Sequence, residues 1–341
     1  MKKNTLLLIV ALVFIVVLIG GGFYLLQTKK GAGESSVILG PDKEIEVPTS
    51  FSFNSLAVGE ELGEIFDGAI FMPEIITLDD GTYRMFYTVA SSMDSEVGSE
   101  IRYADSSDGF QWESKGVALS GGKDTNSPDF LLGGASVVRL ENGDWRMYYR
   151  ATQWYKEISS KPLYQNFSAI SKDGEVFTRE LGTRISIQHY DNDSQFSIAG
   201  HGRYFQNDDG LFIGIFSANY IDASGASDLV LMTSEDGLNW GNFRTLYEDW
   251  HDPTVIIKDG QFVMYATYLQ ESQGVAVSRD GLNWPAEMTN VDFLNEEGDR
   301  LTEGEDGVAD LGAFLTKDNE ILIFTNYGHP GRNIAIFMPN N

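Results

Sequence analysis

The chain contains no cysteine. Disulfide staples, thiol chemistry and thiolate metal sites are therefore excluded. Proline is scarce, at 9 of 341 residues, and basic residues are few, 24 against 50 acidic, for a formal net charge of −26. Four of the lysines, Lys2, Lys3, Lys29 and Lys30, flank an apolar N-terminal stretch; beyond them 20 basic residues face 50 acidic ones, a net of −30. That excess disfavours nucleic acid and anionic lipid as partners. It speaks first to solubility at a crowded or salty surface. Some of the carboxylates are candidate Ca²⁺ ligands, although no cofactor is required. Glycine (36), tyrosine (15) and phenylalanine (21) are abundant, and the apolar content suffices for one large core.

Two short patterns recur and interleave. The first is Ser-x-Asp-Gly-x-x-aromatic, at Ser106–Trp112, Ser171–Phe177, Ser234–Trp240 and Ser278–Trp284, spaced by 65, 63 and 44 residues. Asp-Gly is a strong hairpin signal because Gly adopts the positive φ of a tight turn. The second is strand, polar turn, strand, with turns at Gly81, Gly143, Gly210, Gly260 and Asn319. Each unit thus reads as four antiparallel strands, A to D, which is one propeller blade. Five units predict an all-β, five-bladed β-propeller over residues 51–341. The fifth lacks its own Asp-Gly hairpin, so the early Phe51-Ser-Phe53 strand is expected to complete it.

Ahead of this domain, Leu6 to Leu26 is uncharged and mostly apolar, 21 residues between basic flanks. A bilayer-spanning helix needs about 20. Residues 1–30 therefore read as an N-terminal transmembrane anchor, with a cleaved signal peptide as the alternative, Gly20–Gly22 offering small residues for cleavage. Residues 31–50 read as a tether. The expected location is the cell membrane, single-pass, with the acidic propeller exported, or secreted if the N-terminus is cleaved. The protein is expected to be a monomer.

Propeller topology sorts the motifs. Strand A lines the central channel, and the loops entering A share one face with the B–C loops. The four Asp-Gly hairpins fall on the opposite face and read as architecture. The segments opening strand A differ between units although their frames match: Phe71-Met-Pro-Glu74, Gly133-Gly-Ala-Ser136, Gly200-His-Gly-Arg203, Trp250-His-Asp-Pro253 and Val308-Ala-Asp310. Divergence on a repeated frame marks a grafted site. The candidate catalytic residues are Asp252, Asp310 and Glu74. Candidate binding residues at the same mouths are His201, Arg203, Trp250 and His251. The B–C loops add Trp154 and Tyr155, whose ring faces suit the C–H surfaces of sugars, and His329.

The five units, the x-Asp-Gly-x-Tyr-x-Met-Tyr-Tyr strand pair and the Ser-x-Asp-Gly-x-x-Trp box resemble the five-bladed propeller glycosidases, arabinanases and β-xylosidases, with invertases more distant. The resemblance covers residues 51–341. It implies three carboxylates at strand-A mouths of consecutive blades: an Asp base or nucleophile before Pro, an orienting Asp and a Glu acid. Asp252-Pro253 matches the first position and Asp310 the second. At the third, Met72-Pro73 holds the frame and Glu74 lies two residues off it. The invertase runs Asn-Asp-Pro-Asn-Gly and Arg-Asp-Pro are absent.

Two readings stand. One is a membrane-tethered glycoside hydrolase in which paired carboxyls flank the glycosidic bond. The other is a propeller that binds a glycan or surface partner without catalysis. A sialidase-like reading is weaker, since it calls for six blades and an arginine triad, and Arg203 is the one arginine at a strand-A mouth. Carbohydrate is the partner in the first reading and a candidate partner in the second.

Overall fold

The computed structural model describes residues 45–58, 70–89, 98–122, 127–153, 163–186, 190–191, 194–220, 227–269, 272–301, 308–327 and 333–340. The predicted anchor at Leu6–Leu26 lies outside them, as do Trp154, Tyr155 and His329. Among the described residues no helix is long and apolar enough to cross a membrane. The compact unit spans Ile45–Asn341. Ile45 and Val47 pack against its core, and the Pro48 carbonyl accepts a hydrogen bond from the Tyr265 hydroxyl at 3.1 Å.

The described residues are all-β, and their strands form blade-like sheets with antiparallel pairing inside each unit. The first unit is β2 (Ile70–Thr77), β3 (Tyr83–Val89), β4 (Glu100–Ser106) and β5 (Glu113–Ser120). The second is β6 (Leu131–Arg139), β7 (Trp145–Gln153), β8 (Leu163–Ser171) and the two-residue β9 (Thr178–Arg179). A short β10 (Tyr190–Asp191) folds onto β11 (Ser194–Gln206), which opens the third unit with β12 (Phe212–Tyr220), β13 (Asp228–Ser234) and β14 (Gly241–Tyr247). The fourth is β15 (Trp250–Lys258), β16 (Gln261–Tyr268), β17 (Ser272–Ser278) and β18 (Thr289–Leu294). The last combines β19 (Ala309–Leu315), β20 (Ile321–Tyr327) and β21 (Asn333–Pro339) with β1 (Ser50–Val58), which pairs antiparallel to β21. The N-terminal strand therefore completes the C-terminal unit, as the missing hairpin predicted.

Side-chain alternation explains how the units stack. In β3, Tyr83, Met85, Tyr87 and Val89 point toward the last unit and Phe86 toward the second. Both faces are covered, so the strand is buried throughout. Each of the five core clusters is shared by two successive units, and one of them joins the last unit to the first. Fully burying one such aromatic or aliphatic side chain contributes about 1.5–3 kcal/mol.

The Asp-Gly boxes are built as turns. In the third unit, Asp236 Oδ1 accepts from the backbone N–H groups of Leu238 and Asn239, both at 2.8 Å. These bonds hold the Asp236 carboxyl well below the usual carboxylate range. The same turn docks on the preceding unit, where Tyr148 Oη donates to the Gly237 carbonyl at 2.8 Å and Arg146 donates to the Asp236 carbonyl at 3.0 Å. Arg84 of the first unit reaches the Gly174 carbonyl of the second in the same manner, at 3.0 Å. The boxes are wedges between units.

Candidate active site

The opening strands of all five units carry a β-bulge at the same register. The breaks fall between Phe71 and Glu74, Gly133 and Ser136, Ala199 and Gly202, His251 and Thr254, and Ala309 and Gly312. At each break three steps on the opening strand face two on its partner, so the strand kinks and one side chain is re-aimed. The first bulged residue has positive φ in four units: Met72 (57°), Gly134 (63°), Asp252 (50°) and Asp310 (53°). Asp tolerates this left-handed conformation better than most residues, and Met72 does so at a cost of about 1 kcal/mol. Asp252 and Asp310 thus occupy the same position on two successive units, as their shared frame predicted. Met72 holds that position in the first unit and is buried.

The bulge brings Asp252 and Asp310 together with His201. One ligand atom from each of the three lies within 4.8 Å of the others. His251 Nδ1 is 2.9 Å from Asp252 Oδ2, and the Asp252 backbone N–H donates to Ser217 Oγ at 2.8 Å. Burial alone would raise the Asp252 carboxyl. Its contacts with the imidazoles of His201 and His251 overcome that and hold it well below the usual carboxylate range. Asp252 is therefore an anion at neutral pH.

Beneath this cluster Arg203 reaches into the region where four units meet. It is almost fully buried. Its terminal N–H groups donate to the carbonyls of Pro73 at 2.7 Å, Leu311 at 3.2 Å and Ala135 at 3.2 Å, and to His201 Nε2 at 2.7 Å. Pro73, Ala135 and Leu311 are the second bulged residues of three different units, so the repeated bulge aims three carbonyls at one guanidinium. Nε lies 2.6 Å from Glu74 Oε2 as an ion pair off the N–H axis. The close approach leaves no room for larger residues: a Cβ on Gly312 would come within 2.3 Å of the Pro73 carbonyl oxygen.

Glu74 is consequently placed apart from the two aspartates. It pairs opposite Phe86, in the register where Ser136 and Thr254 stand in their own units. Those residues bond the next unit: Ser136 Oγ accepts from the Tyr204 N–H and Thr254 Oγ1 from the Ala313 N–H. Glu74 Oε1 likewise accepts from the Val137 N–H at 3.3 Å. Burial pushes its carboxyl up from the ordinary value, against the opposing pull of Arg203 and the Val137 bond. The ring of Trp250 packs with Tyr247, Tyr268 and Gly274, in the core between the third and fourth units.

Arg203 also fixes the state of His201. A guanidinium only donates, so Nε2 of His201 must accept, and in a neutral ring the proton then sits on Nδ1. Burial, with the charge of Arg203, lowers the His201 pKa from 6.5 to about 4, so the ring is neutral near pH 7. Arg150 adds to that positive surrounding. Arg150 and Ser217 are site residues that the sequence reading did not single out. For Arg150 the signal was its place at the end of the repeated Trp-Arg-Met-Tyr-Tyr strand, opposite the bulge at Gly133.

No protein-family model and no curated protein sequence matches the chain. Solved structures do. A family 117 glycoside hydrolase of the marine bacterium Zobellia galactanivorans superposes with a TM-score of 0.61 at 16% identity, over 85% of this chain and 90% of that one. An α-L-arabinofuranosidase from Lactobacillus brevis gives 0.58 at 12% identity, over 78% and 89%. An endo-arabinase from Bacteroides thetaiotaomicron gives 0.55 at 13% identity, over 84% and 98%. The resemblance to arabinanase-type hydrolases read from the repeats is thus present in the fold, and at such identities the likeness is one of fold.

Proposed function

We propose that the chain is a glycoside hydrolase whose site is the mouth formed by Asp252, Asp310 and His201, on a five-bladed propeller tethered outside the membrane by residues 1–30. The observation that carries this reading is the pairing of two carboxylates, from equivalent bulges of successive units, within 4.8 Å of each other and of a buried histidine. The cyclic order of the five shared cores supports the blade count. The names of the structural neighbours, all hydrolases acting on carbohydrate bonds, support the reaction class.

In this mechanism Asp252 supplies the anion. Held ionised by its histidines, it activates water or attacks the anomeric carbon directly. Asp310 is the second carboxyl. The separation of the two carboxyl groups sets the outcome, about 5–5.5 Å for retention and about 6.5–9.5 Å for inversion. Retention would make Asp252 the nucleophile and Asp310 the acid. Inversion would make Asp310 the orienting group and require a separate proton donor. Turnover of an aryl-glycoside panel, with the product anomer read by NMR, tests the reading. Asp252→Asn keeps the shape, loses the base and is expected to abolish turnover with the fold intact.

A second reading, a binding propeller without catalysis, is favoured by one observation. Met72 fills the third bulge position and Glu74 is engaged by Arg203 at 2.6 Å. Saturable binding of an oligosaccharide, with no hydrolysis across the panel, would select it.

A further inference from the structure

His201 carries a polar atom with no hydrogen bond, only a longer contact with Asp252. Its side chain is fully buried, and its Nδ1 makes no hydrogen bond. The nearest carboxylate oxygen, Asp252 Oδ1, is 3.8 Å away, too far for a direct bond. Nδ1 bears the proton because Nε2 is occupied by the Arg203 donor. An N–H buried without an acceptor is destabilising, and this one belongs to the group that holds Asp252 and Asp310.

Two occupants could meet that geometry. A divalent cation would use the two carboxylates and a lone pair on Nδ1. The Arg203 bond places a hydrogen there instead, and the guanidinium, 2.7 Å from His201 Nε2, is a competing positive charge. A hydroxyl oxygen fits both sides: it accepts from Nδ1–H and donates its own hydrogen to Asp252. An oxygen about 2.8 Å from each atom would lie off the 3.8 Å line between them.

We propose that His201 is a ligand-binding residue that receives one neutral hydroxyl oxygen, from water in the resting site and from the sugar when it is bound, and that Arg203 is the positioning residue that sets its tautomer. Taken with the hydrolase reading, on which its substrate role rests, this makes the inner end of the site selective for an uncharged, hydroxyl-bearing sugar ring. The Gly134 backbone keeps the ring in place: a Cβ there would come within 3.1 Å of His201 Cδ2 and 3.2 Å of Met72 Sδ.

The test is nitrogen NMR of the full chain with ¹⁵N-labelled histidine. The chain has 4 histidines, and His201→Gln assigns the signal. The expected spectrum shows Nδ1 protonated and Nε2 bare at neutral pH. Addition of CaCl₂ leaves that signal in place, whereas one or more of D-xylose, L-arabinose and D-galactose moves it. His201→Leu is expected to weaken that sugar about tenfold, equivalent to one hydrogen bond. Arg203→Met, which leaves Nε2 without its donor, is expected to lose the fixed tautomer. A protonated Nε2, or a Ca²⁺-dependent shift at Nδ1, overturns the proposal. A signal that no sugar in the panel moves overturns the sugar-binding role. None of these readouts requires turnover, so a non-catalytic protein would fail the hydrolase reading and could still pass this one.

Discussion

Arg203→Met removes the group on which three units converge. Glu74, 2.6 Å away and buried, is left as an unpaired carboxylate. The carbonyls of Pro73, Ala135 and Leu311 and Nε2 of His201 each lose a donor. Breaking a buried ion pair from one side costs about 3–5 kcal/mol, most of it the penalty of the stranded partner. The expected loss is therefore about 3–5 kcal/mol, read as a fall in urea midpoint at constant slope by tryptophan fluorescence. Adding Glu74→Met should recover part of it, because the stranded charge is gone. Three carbonyls and one imidazole nitrogen still lack donors, so the double variant should remain less stable than wild type. A loss under about 1 kcal/mol in Arg203→Met would refute the reasoning. So would a double variant no more stable than the single one, since Glu74 would then not be the stranded group.

Stability should also depend on pH through His201, whose pKa falls from 6.5 to about 4 on folding. The unfolded chain takes up that proton first, so the contribution is complete above pH 6.5 and is lost as pH falls toward 4. The span is on the order of 3 kcal/mol, and His201→Gln should flatten it in denaturant titrations at pH 4 to 7. Asp236→Ala removes a carboxylate accepting two backbone N–H groups and is expected to cost about 1–2 kcal/mol, with sugar binding unchanged; lost binding at full stability would move the site to the other face. N-terminal sequencing of the membrane fraction should return Met1 or its successor, and a start near Phe23 would instead show a cleaved, secreted protein.

The repeats made the scaffold legible because turn chemistry is local. Gly81, Gly143, Gly210, Gly260 and Asn319, all read as turns, have positive φ. The closing role of Phe51–Phe53 followed from counting strands, and β1 does pair with β21. The bulges were less visible. Pro73 and Pro253 hint at broken ladders, but the break at Gly133–Ser136 carries no proline and the one at Ala309–Gly312 has only an Asp to mark it. A bulge depends on what the partner strand does, and sequence periodicity along one strand does not record that. The Arg203–Glu74 pair was hidden for the same reason. Its members are far apart in sequence, and only the convergence of successive units brings them together.

Why the aspartates and not Glu74 form the cluster follows from the bulge. Each opening strand offers two distinct places: the first bulged residue, re-aimed by its positive φ, and the residue two further on, whose side chain bonds the next unit. Asp252 and Asp310 occupy the first place. Glu74, with Ser136 and Thr254, occupies the second. A carboxylate in the second place is drawn into holding units together, and here it also neutralises the arginine that fills the space beneath the site. The three acids at matching strand mouths are therefore two kinds of residue: a pair gathered beside His201, and one that supports the floor on which His201 stands.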